Sequence, residues 1–246
     1  MPDQPLSRLV RKLEADKMTF SEEEKEELLR LPVAVRDVPA DKDIVREGDR
    51  PSQCCLLLEG FQCRYKMLPD GERQILSFHV PGDVPDLQSL FLPTMDHSLG
   101  TLSPCRVGFL QHEPLRDLIR RYPGIGEKLW RESLIDAAVF REWISNVGSR
   151  DAYTRIAHLI CELFTRLRAV GLARGTSFEC PITQTEMADA TGLSTVHVNR
   201  SLMDLRGRGF ITLDKHLLTI LKWDELRSQA GFDELYLHLD SLLESA

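Results

Sequence analysis

The alternation of apolar and polar positions is typical of β-strands in the first half of the chain. From Val33 to Leu110, short apolar runs alternate with turn residues, and no helical period lies between them. Asp70 and Gly71 join two such runs, a pairing typical of a β-hairpin turn. Closely spaced strands without intervening helices favour a small antiparallel β-roll. The pattern therefore predicts an all-β domain that, with N-terminal helices, occupies residues 1–112.

The pattern becomes helical after Pro114, across a middle segment of residues 113–149. A short helix precedes a long one over 124–148, whose apolar positions cover more of its circumference than docking on a single core requires. We expect its second apolar side to pack on another copy of the chain; the alternative is a helix wedged between two domains. The residues expected on this dimer helix are Leu129, Ile135, Phe140, Trp143 and Val147.

Two consecutive capping signals mark a pair of short helices further along the chain. Thr183 and Glu186 have the spacing of a capping box, which predicts a helix that ends at Gly192. Ser194 is a preferred residue for capping the next helix, which we expect over 195–208. The two helices are therefore separated by a turn of only a few residues.

The spacing of small and apolar residues identifies this pair as a helix-turn-helix. Ala188 lets the helices approach closely, Gly192 permits a left-handed turn, and Val198 faces the core. The segment 209–221 then predicts two strands joined by a tight turn, as in a wing. We therefore predict a winged helix-turn-helix domain with a C-terminal helical extension over residues 150–246.

These core positions leave a polar set of side chains outside on the second, recognition helix. The residues expected to read base edges are Thr195, Val196, Asn199 and Arg200. The residues expected to contact phosphates are Gln184, Ser194, His197 and Lys215. Arginine can donate to O6 and N7 of guanine together, asparagine suits adenine, and valine can contact only a thymine methyl group. The predicted partner is therefore double-stranded DNA.

The net charge and the hydropathy of the chain are compatible with a local DNA-binding surface. The net charge of −7 argues against general coating of nucleic acid, but salt screening over about 8 Å permits a local basic face. Arg200, Arg206, Arg208 and Lys215 lie on one short segment. No apolar run approaches the roughly 20 residues of a membrane helix, and the N-terminus lacks a signal-peptide pattern. We expect a cytoplasmic protein without membrane contact.

The sequence contains few residues in the spacings that metal binding, cofactor binding or catalysis requires. The cysteines show neither C-x-x-C nor zinc spacing, so buried thiols are expected, with a redox or iron–sulfur role as the alternative. They are Cys54, Cys55, Cys63, Cys105, Cys161 and Cys180. Hydrolase, phosphate-loop and metalloprotease motifs are absent, so we expect no enzyme activity and no cofactor.

The order of these parts resembles the cyclic-AMP receptor protein/fumarate–nitrate regulator (CRP/FNR) superfamily, in particular alphaproteobacterial members with unassigned effectors. GLSTVHVNRSLMDLRGRGFI carries the resemblance most specifically, followed by ILSFHVPGDVPDLQSLF and DHSLGTLSPCRVGFL. It covers about residues 33–222 and implies an α+β fold with a β-roll, a long dimerisation helix and a winged helix-turn-helix. It also implies a homodimer on a two-fold-related operator, with Arg200 as the base-reading arginine. Val196 stands where the best-known members have glutamate, so the operator should differ.

The effector side departs further from the family pattern. Cyclic-nucleotide pockets of the family pair Gly-Glu-Leu with Arg-Ser-Ala, whereas this chain has Pro-Asp-Leu at 85–87 and Asp-His-Ser at 96–98. These runs leave no arginine for the phosphate, so we expect an effector other than a cyclic nucleotide. Asp86, Leu87 and His97 could line a different pocket, or Asp86 and His97 could be inert surface-loop residues.

Two functions therefore remain open at this point. The first is a DNA-binding transcription regulator; the second is a ligand sensor that acts through protein contacts rather than through DNA. An interaction module should show apolar side chains on the first turn of the recognition helix, whereas that turn is mainly polar here. Activation would also need a surface for RNA polymerase, and the sequence does not distinguish an activator from a repressor.

Overall fold

The computed structural model describes residues 4–14 and 20–239. Their helices are α1 (Ser7–Leu13), α2 (Glu22–Leu29), α3 (His112–Arg121), α4 (Pro123–Ser149), α5 (Ala152–Ala169), α6 (Gln184–Thr191), α7 (Thr195–Gly207) and α8 (Trp223–Ala230). Their strands are β1 (Val33–Val38), β2 (Asp43–Val45), β3 (Gln53–Glu59), β4 (Gln62–Met67), β5 (Arg73–His79), β6 (Ser98–Thr101), β7 (Cys105–Gln111), β8 (Ala173–Arg174), β9 (Ser177–Glu179), β10 (Ile211–Asp214) and β11 (Leu217–Ile220). Short 3₁₀ turns cover Leu87–Leu90 and Glu234–Leu237.

The first seven strands form the predicted β-roll from two antiparallel sheets. One sheet has the order β1-β7-β3 and the other β2-β6-β4-β5. The predicted hairpin joins β4 to β5, and Gly71 in its turn has a φ of +85°, a conformation that favours glycine. Cys54 and Cys55, adjacent on β3, belong to different apolar clusters because neighbouring strand residues point to opposite faces. All six cysteines are buried free thiols, as the sequence predicts.

The last four strands and three helices form the winged helix-turn-helix. Helices α5, α6 and α7 pack together beside a sheet of order β10-β11-β9-β8. The predicted tail over 224–243 is present as α8 and the final 3₁₀ turn, while its residues 240–243 lie outside the described part. The α+β fold with roll, long helix and winged helix-turn-helix is thus confirmed. Across residues 4–14 and 20–239, the helices are all too short or too polar for a bilayer span.

One apolar cluster joins the roll to the winged helix-turn-helix. It includes Phe78 of β5, Trp143 of α4 and Phe164 of α5. The rings of Phe78 and Trp143 meet edge to face with centroids 5.6 Å apart. Because apolar burial is the main stabilising term in folding, this shared cluster ties the two halves of the chain together.

The long helix α4 corrects part of the dimer-helix prediction. Leu129 and Trp143 are buried in the chain's own clusters, so they lie outside the exposed apolar surface of α4. Ile135, Phe140 and Val147 are partly buried. The exposed apolar residues of α4 are Trp130 (65%), Leu134 (51%) and Ile144 (73%). The sequence pattern showed two apolar sides but could not show which one α1, α3 and the roll would cover.

Candidate functional site

The local signals of the helix-turn-helix form as predicted. Thr183 Oγ1 accepts a hydrogen bond from the Glu186 amide at 3.2 Å, and the Glu186 carboxylate accepts one from the Thr183 amide at 2.6 Å. This capping box fixes the start of α6. Gly192 ends the helix with a φ of +63°, and Ser194 caps α7. The turn between the helices is therefore determined by its own residues.

The recognition helix α7 buries one face and exposes the predicted base-reading face. Val198, Leu202 and Leu205 are buried against the rest of the domain. The four residues predicted to read bases are all exposed on its first turns, and Val196 is 64% exposed. They are Thr195, Val196, Asn199 and Arg200. Since the helix is anchored by its buried face, this set lies on an accessible surface of defined orientation.

The predicted phosphate contacts lie around the same face. Ser194 Oγ bonds His197 Nδ1 at 2.8 Å, so the two polar side chains are held together at the start of α7. Lys215 lies at the exposed tip of the wing between β10 and β11, with a φ of +54°. Gln184, the first residue of α6, instead accepts a hydrogen bond from Asn199. The structure thus links Gln184 directly to a predicted base reader.

Basic side chains surround this face although the chain as a whole is acidic. Arg200, Arg206, Arg208 and Lys215 are all exposed. The Arg208 guanidinium lies 4.9 Å from the centre of the Tyr153 ring, which orients that side chain. Charges farther away than about one Debye length are screened by salt, so the distant acidic residues do not cancel this local basic face. A basic face of this kind attracts phosphate groups.

A cavity of about 360 Å³ lies between the roll and α4. Its walls come from α1, the roll, α4, α5 and the C-terminal segment, and combine apolar with charged side chains. Of the residues predicted to contact the effector, Leu87 and His97 line it. His97 is buried rather than on a surface loop, and its ring bonds Asp96 and Gln88.

The position of Asp86 differs from the two positions that the sequence predicted for it, the pocket wall and an exposed loop. It is only 2% exposed and does not line the cavity, so it is neither a surface-loop residue nor an effector contact. Its Oδ1 accepts a hydrogen bond from the Cys55 amide at 2.7 Å, which ties the turn after β5 to strand β3. Burial raises the pKa of Asp86 to about 7, because a charged carboxylate is costly away from water.

The sequence motifs give no sign of the arginines that line this cavity. Arg64 on β4 lines it, although neither of the two effector motifs contains an arginine. Its Nε donates to the Pro85 carbonyl at 2.6 Å and its Nη1 to Asp136 of α4 at 2.5 Å. The guanidinium also lies over the Phe140 ring. Arg64 therefore lines the cavity with its charge already neutralised by Asp136 of α4.

A second missed feature is an ion cluster in the wall of this cavity, centred on buried Asp83. This carboxylate accepts from Lys12 of α1 at 2.9 Å and from Arg166 of α5 at 2.8 Å. His79 Nδ1 lies 3.3 Å away. Burial alone would raise the pKa of Asp83, but the charges of Lys12 and Arg166 outweigh it and hold the pKa well below its usual range.

The ion cluster connects the roll to the helix-turn-helix half of the chain. Arg166 also contacts Glu162 at 3.2 Å, and that buried carboxylate accepts from Trp143 Nε1 and from the Tyr236 hydroxyl. The spacing of Glu162 and Arg166, four residues apart on an apolar helix face, was a sequence signal for this pair. Within the described ranges, no group of three or more His, Cys, Asp or Glu side chains could hold a metal ion.

A further polar contact joins α6 to the roll. Arg73 Nε donates to Asp189 Oδ2 at 2.9 Å, and Gln74 Nε2 donates to the Asp189 carbonyl at 2.6 Å. Both donors lie on β5, whose far end carries His79. The first helix of the helix-turn-helix is therefore bonded directly to the sheet beside the cavity.

The comparisons with known proteins agree with this architecture. The family models for a cyclic nucleotide-binding domain and a Crp-like helix-turn-helix domain match residues 35–122 and 154–229. The transcriptional activator protein FnrL of Cereibacter sphaeroides is 24% identical over 205 residues, which cover 80% of this chain and 81% of the relative. The nitrogen fixation regulation protein FixK of Rhizobium meliloti is 24% identical over 200 residues, which cover 80% of this chain and 87% of that protein.

The fold has a solved counterpart of the same organisation. The structure of FixK2 from Bradyrhizobium japonicum matches with a TM-score of 0.76 and 22% identity, covering 82% of this chain and all of that one. The two matched domains follow each other in the same order as the roll and the helix-turn-helix, and the recognition helix is exposed. The chain belongs to the CRP/FNR family and is a transcription regulator with a helix-turn-helix DNA-binding domain.

Proposed function

We propose that this regulator is a cytoplasmic homodimer that binds a two-fold-related operator with α7 in the major groove. The observation that carries the proposal is the exposed set Thr195, Val196, Asn199 and Arg200, held outward by a buried opposite face. Arg200 reads a guanine through O6 and N7, and Asn199 reads an adenine. In a dimer, the two half-sites lie about one helical turn apart.

The remaining contacts position the protein without reading sequence. Ser194 and His197, at the N-terminus of α7, contact one phosphate region, and Lys215 contacts another from the wing tip. Val196 contacts a thymine methyl group or fills space, because its side chain has no hydrogen-bonding atom. Because valine stands here where the best-known family members have glutamate, the operator of this protein differs from theirs.

Arg200→Ala should weaken operator binding by about 5-fold to 150-fold, since a bidentate arginine–guanine contact is worth about 1–3 kcal/mol. The measurement is selection of bound fragments from a random DNA pool by the purified full chain, followed by binding titration on the selected motif. The control is Arg120→Ala, which removes an exposed arginine of α3. A guanine preference that survives in Arg200→Ala would contradict the proposal, and so would the absence of any motif, which would favour action through protein contacts.

The dimer contact is formed by the exposed apolar stripe of α4. At 100° per residue, Trp130, Leu134 and Ile144 lie within one narrow sector of the helix. We expect Leu134→Glu to convert the dimer to a monomer in sedimentation, because the contact would bury an unpaired carboxylate. Leu235→Glu, at an equally exposed leucine of the C-terminal 3₁₀ turn, is the matched control and should leave the dimer intact. Identical sedimentation of both variants and the parent chain would contradict this assignment.

The effector is not a cyclic nucleotide. The cations that line the cavity, Arg64, Arg166, Lys12 and Lys66, are each paired with a carboxylate of the chain. A cyclic phosphate would therefore have to break one of these ion pairs to obtain a charge partner. We expect cyclic AMP and cyclic GMP to leave the Tm unchanged. A ligand at about 100 times its Kd adds about 2.7 kcal/mol of stability, so a clear rise in Tm with either nucleotide would refute this expectation.

A further inference from the structure

Two exposed amide side chains are bonded across the helix-turn-helix. Asn199 Nδ2 on α7 donates a hydrogen bond to Gln184 Oε1 on α6, with 3.1 Å between the two atoms. Both side chains are exposed, and the contact between the helices is already made by Ala188 and Val198, which are buried. The bond therefore adds little to the core and acts on the surface that faces DNA.

This bond fixes the direction in which Asn199 presents its remaining groups. A primary amide has two N–H donors and one carbonyl acceptor. With one N–H of Asn199 bound to Gln184, the second N–H and Oδ1 remain free. These are the two groups that adenine engages at N7 and N6.

The position of Gln184 is itself well defined. It is the first residue of α6, directly after Thr183, whose capping box with Glu186 fixes the start of that helix. Asn199 lies between buried Val198 and the exposed base reader Arg200 on α7. The hydrogen bond thus joins two anchored backbones. Ordering a free side chain on binding costs about 0.5–1.5 kcal/mol. The hydrogen bond to Gln184 lowers this cost, because it restricts Asn199 before DNA binds.

We propose that Gln184 is a positioning residue that sets the adenine preference of Asn199, and not an independent phosphate contact. The inference rests on the proposed operator-binding function and specifies how one of its base readers is oriented. It predicts that the influence of Gln184 is confined to the one base pair that Asn199 contacts.

The test is random-pool selection and binding titration with the full-length parent chain, Gln184→Ala, Asn199→Ala and the double variant. Asn199→Ala should abolish the adenine preference at one position of each half-site. Gln184→Ala should reduce the same preference by about 2-fold to 12-fold, the equivalent of the ordering cost above. The double variant should match Asn199→Ala, because Gln184 acts only through Asn199.

Gln184→Glu provides the conservative rescue. A carboxylate accepts the Asn199 hydrogen bond as the amide does, so the adenine preference should persist, while repulsion by phosphates lowers the affinity for all sequences. Unchanged Tm values for the four variants would separate this effect from a folding defect.

Three results would overturn the inference. If Gln184→Ala weakens all sequences equally, or weakens binding further in the Asn199→Ala background, Gln184 contacts the backbone directly. If the parent chain selects a motif with an Arg200-dependent guanine but Gln184→Ala changes no base preference, only this inference fails. If the parent chain selects no motif, the proposed function fails with it.

Discussion

Arg166→Met should lower the free energy of unfolding by about 3–5 kcal/mol at neutral pH, the usual cost of removing one partner from a buried ion pair. Arg166 contacts Asp83 at 2.8 Å and Glu162 at 3.2 Å, and both carboxylates are buried. Methionine fills much of the same volume. Among the described residues it leaves Lys12, which also pairs with Glu132, as the one cation bonded to Asp83, and none bonded to Glu162. Urea unfolding of the full chain measures the loss.

The pH dependence of this loss identifies its cause. Without Arg166 the folded-state pKa values of both carboxylates rise, so the variant gains protons more readily as the pH falls. The difference from the parent chain should therefore shrink between pH 7 and pH 4. Arg120→Met is the matched control, because within the described part of the chain that exposed arginine pairs only with Asp117 on the same helix, and its effect should stay within about 0.5 kcal/mol. A variant as stable as the parent chain would show that the ion cluster does not hold the roll to α5.

The helix-turn-helix was predictable because each of its signals is local. Thr183, Glu186 and Ser194 cap helices through bonds that span three residues, and Gly192 adopts the left-handed turn that it can adopt at low cost. Once Val198 is assigned to the core, the helical period alone assigns the outward residues. Interactions of this kind join residues only a few positions apart, so they can be predicted from the sequence alone.

The pocket was less predictable because its contacts join distant segments. Arg64 reaches the cavity from β4, outside the two motifs that the resemblance highlighted, and meets Asp136 seventy-two residues later. Asp86 follows a turn and has a polar side chain, both signs of an exposed loop, yet the amide of Cys55 binds it in the interior. The burial of Leu129 and Trp143 was unpredictable for the same reason, since only tertiary packing decides that these two residues of α4 face inward.

Asp86→Asn should stabilise the protein above neutral pH by roughly 4 kcal/mol, the equivalent of a pKa shift from 3.8 to about 7 at about 1.4 kcal/mol per unit. Burial raises the pKa of Asp86 from 3.8 to about 7, so ionisation of this carboxyl opposes the folded state. Its contribution is fully present below the unfolded pKa and is lost as the pH rises through about 7. Asparagine keeps an oxygen that can accept from the Cys55 amide and carries no charge.

Urea unfolding of the parent chain and Asp86→Asn at pH 4, 6 and 8 tests this sign directly. The two should be nearly equally stable at pH 4, and the variant should gain steadily towards pH 8. Other groups, such as His79, whose pKa burial lowers to about 4, also titrate, but they are common to both proteins and cancel in the difference. Asp117→Asn, at an exposed carboxylate of α3, should show a small and constant difference. If Asp86→Asn is less stable than the parent chain at pH 8, the ionised carboxylate stabilises the folded state. Its bond to the Cys55 amide then outweighs the cost of burying the charge, because that bond is stronger when the acceptor is charged.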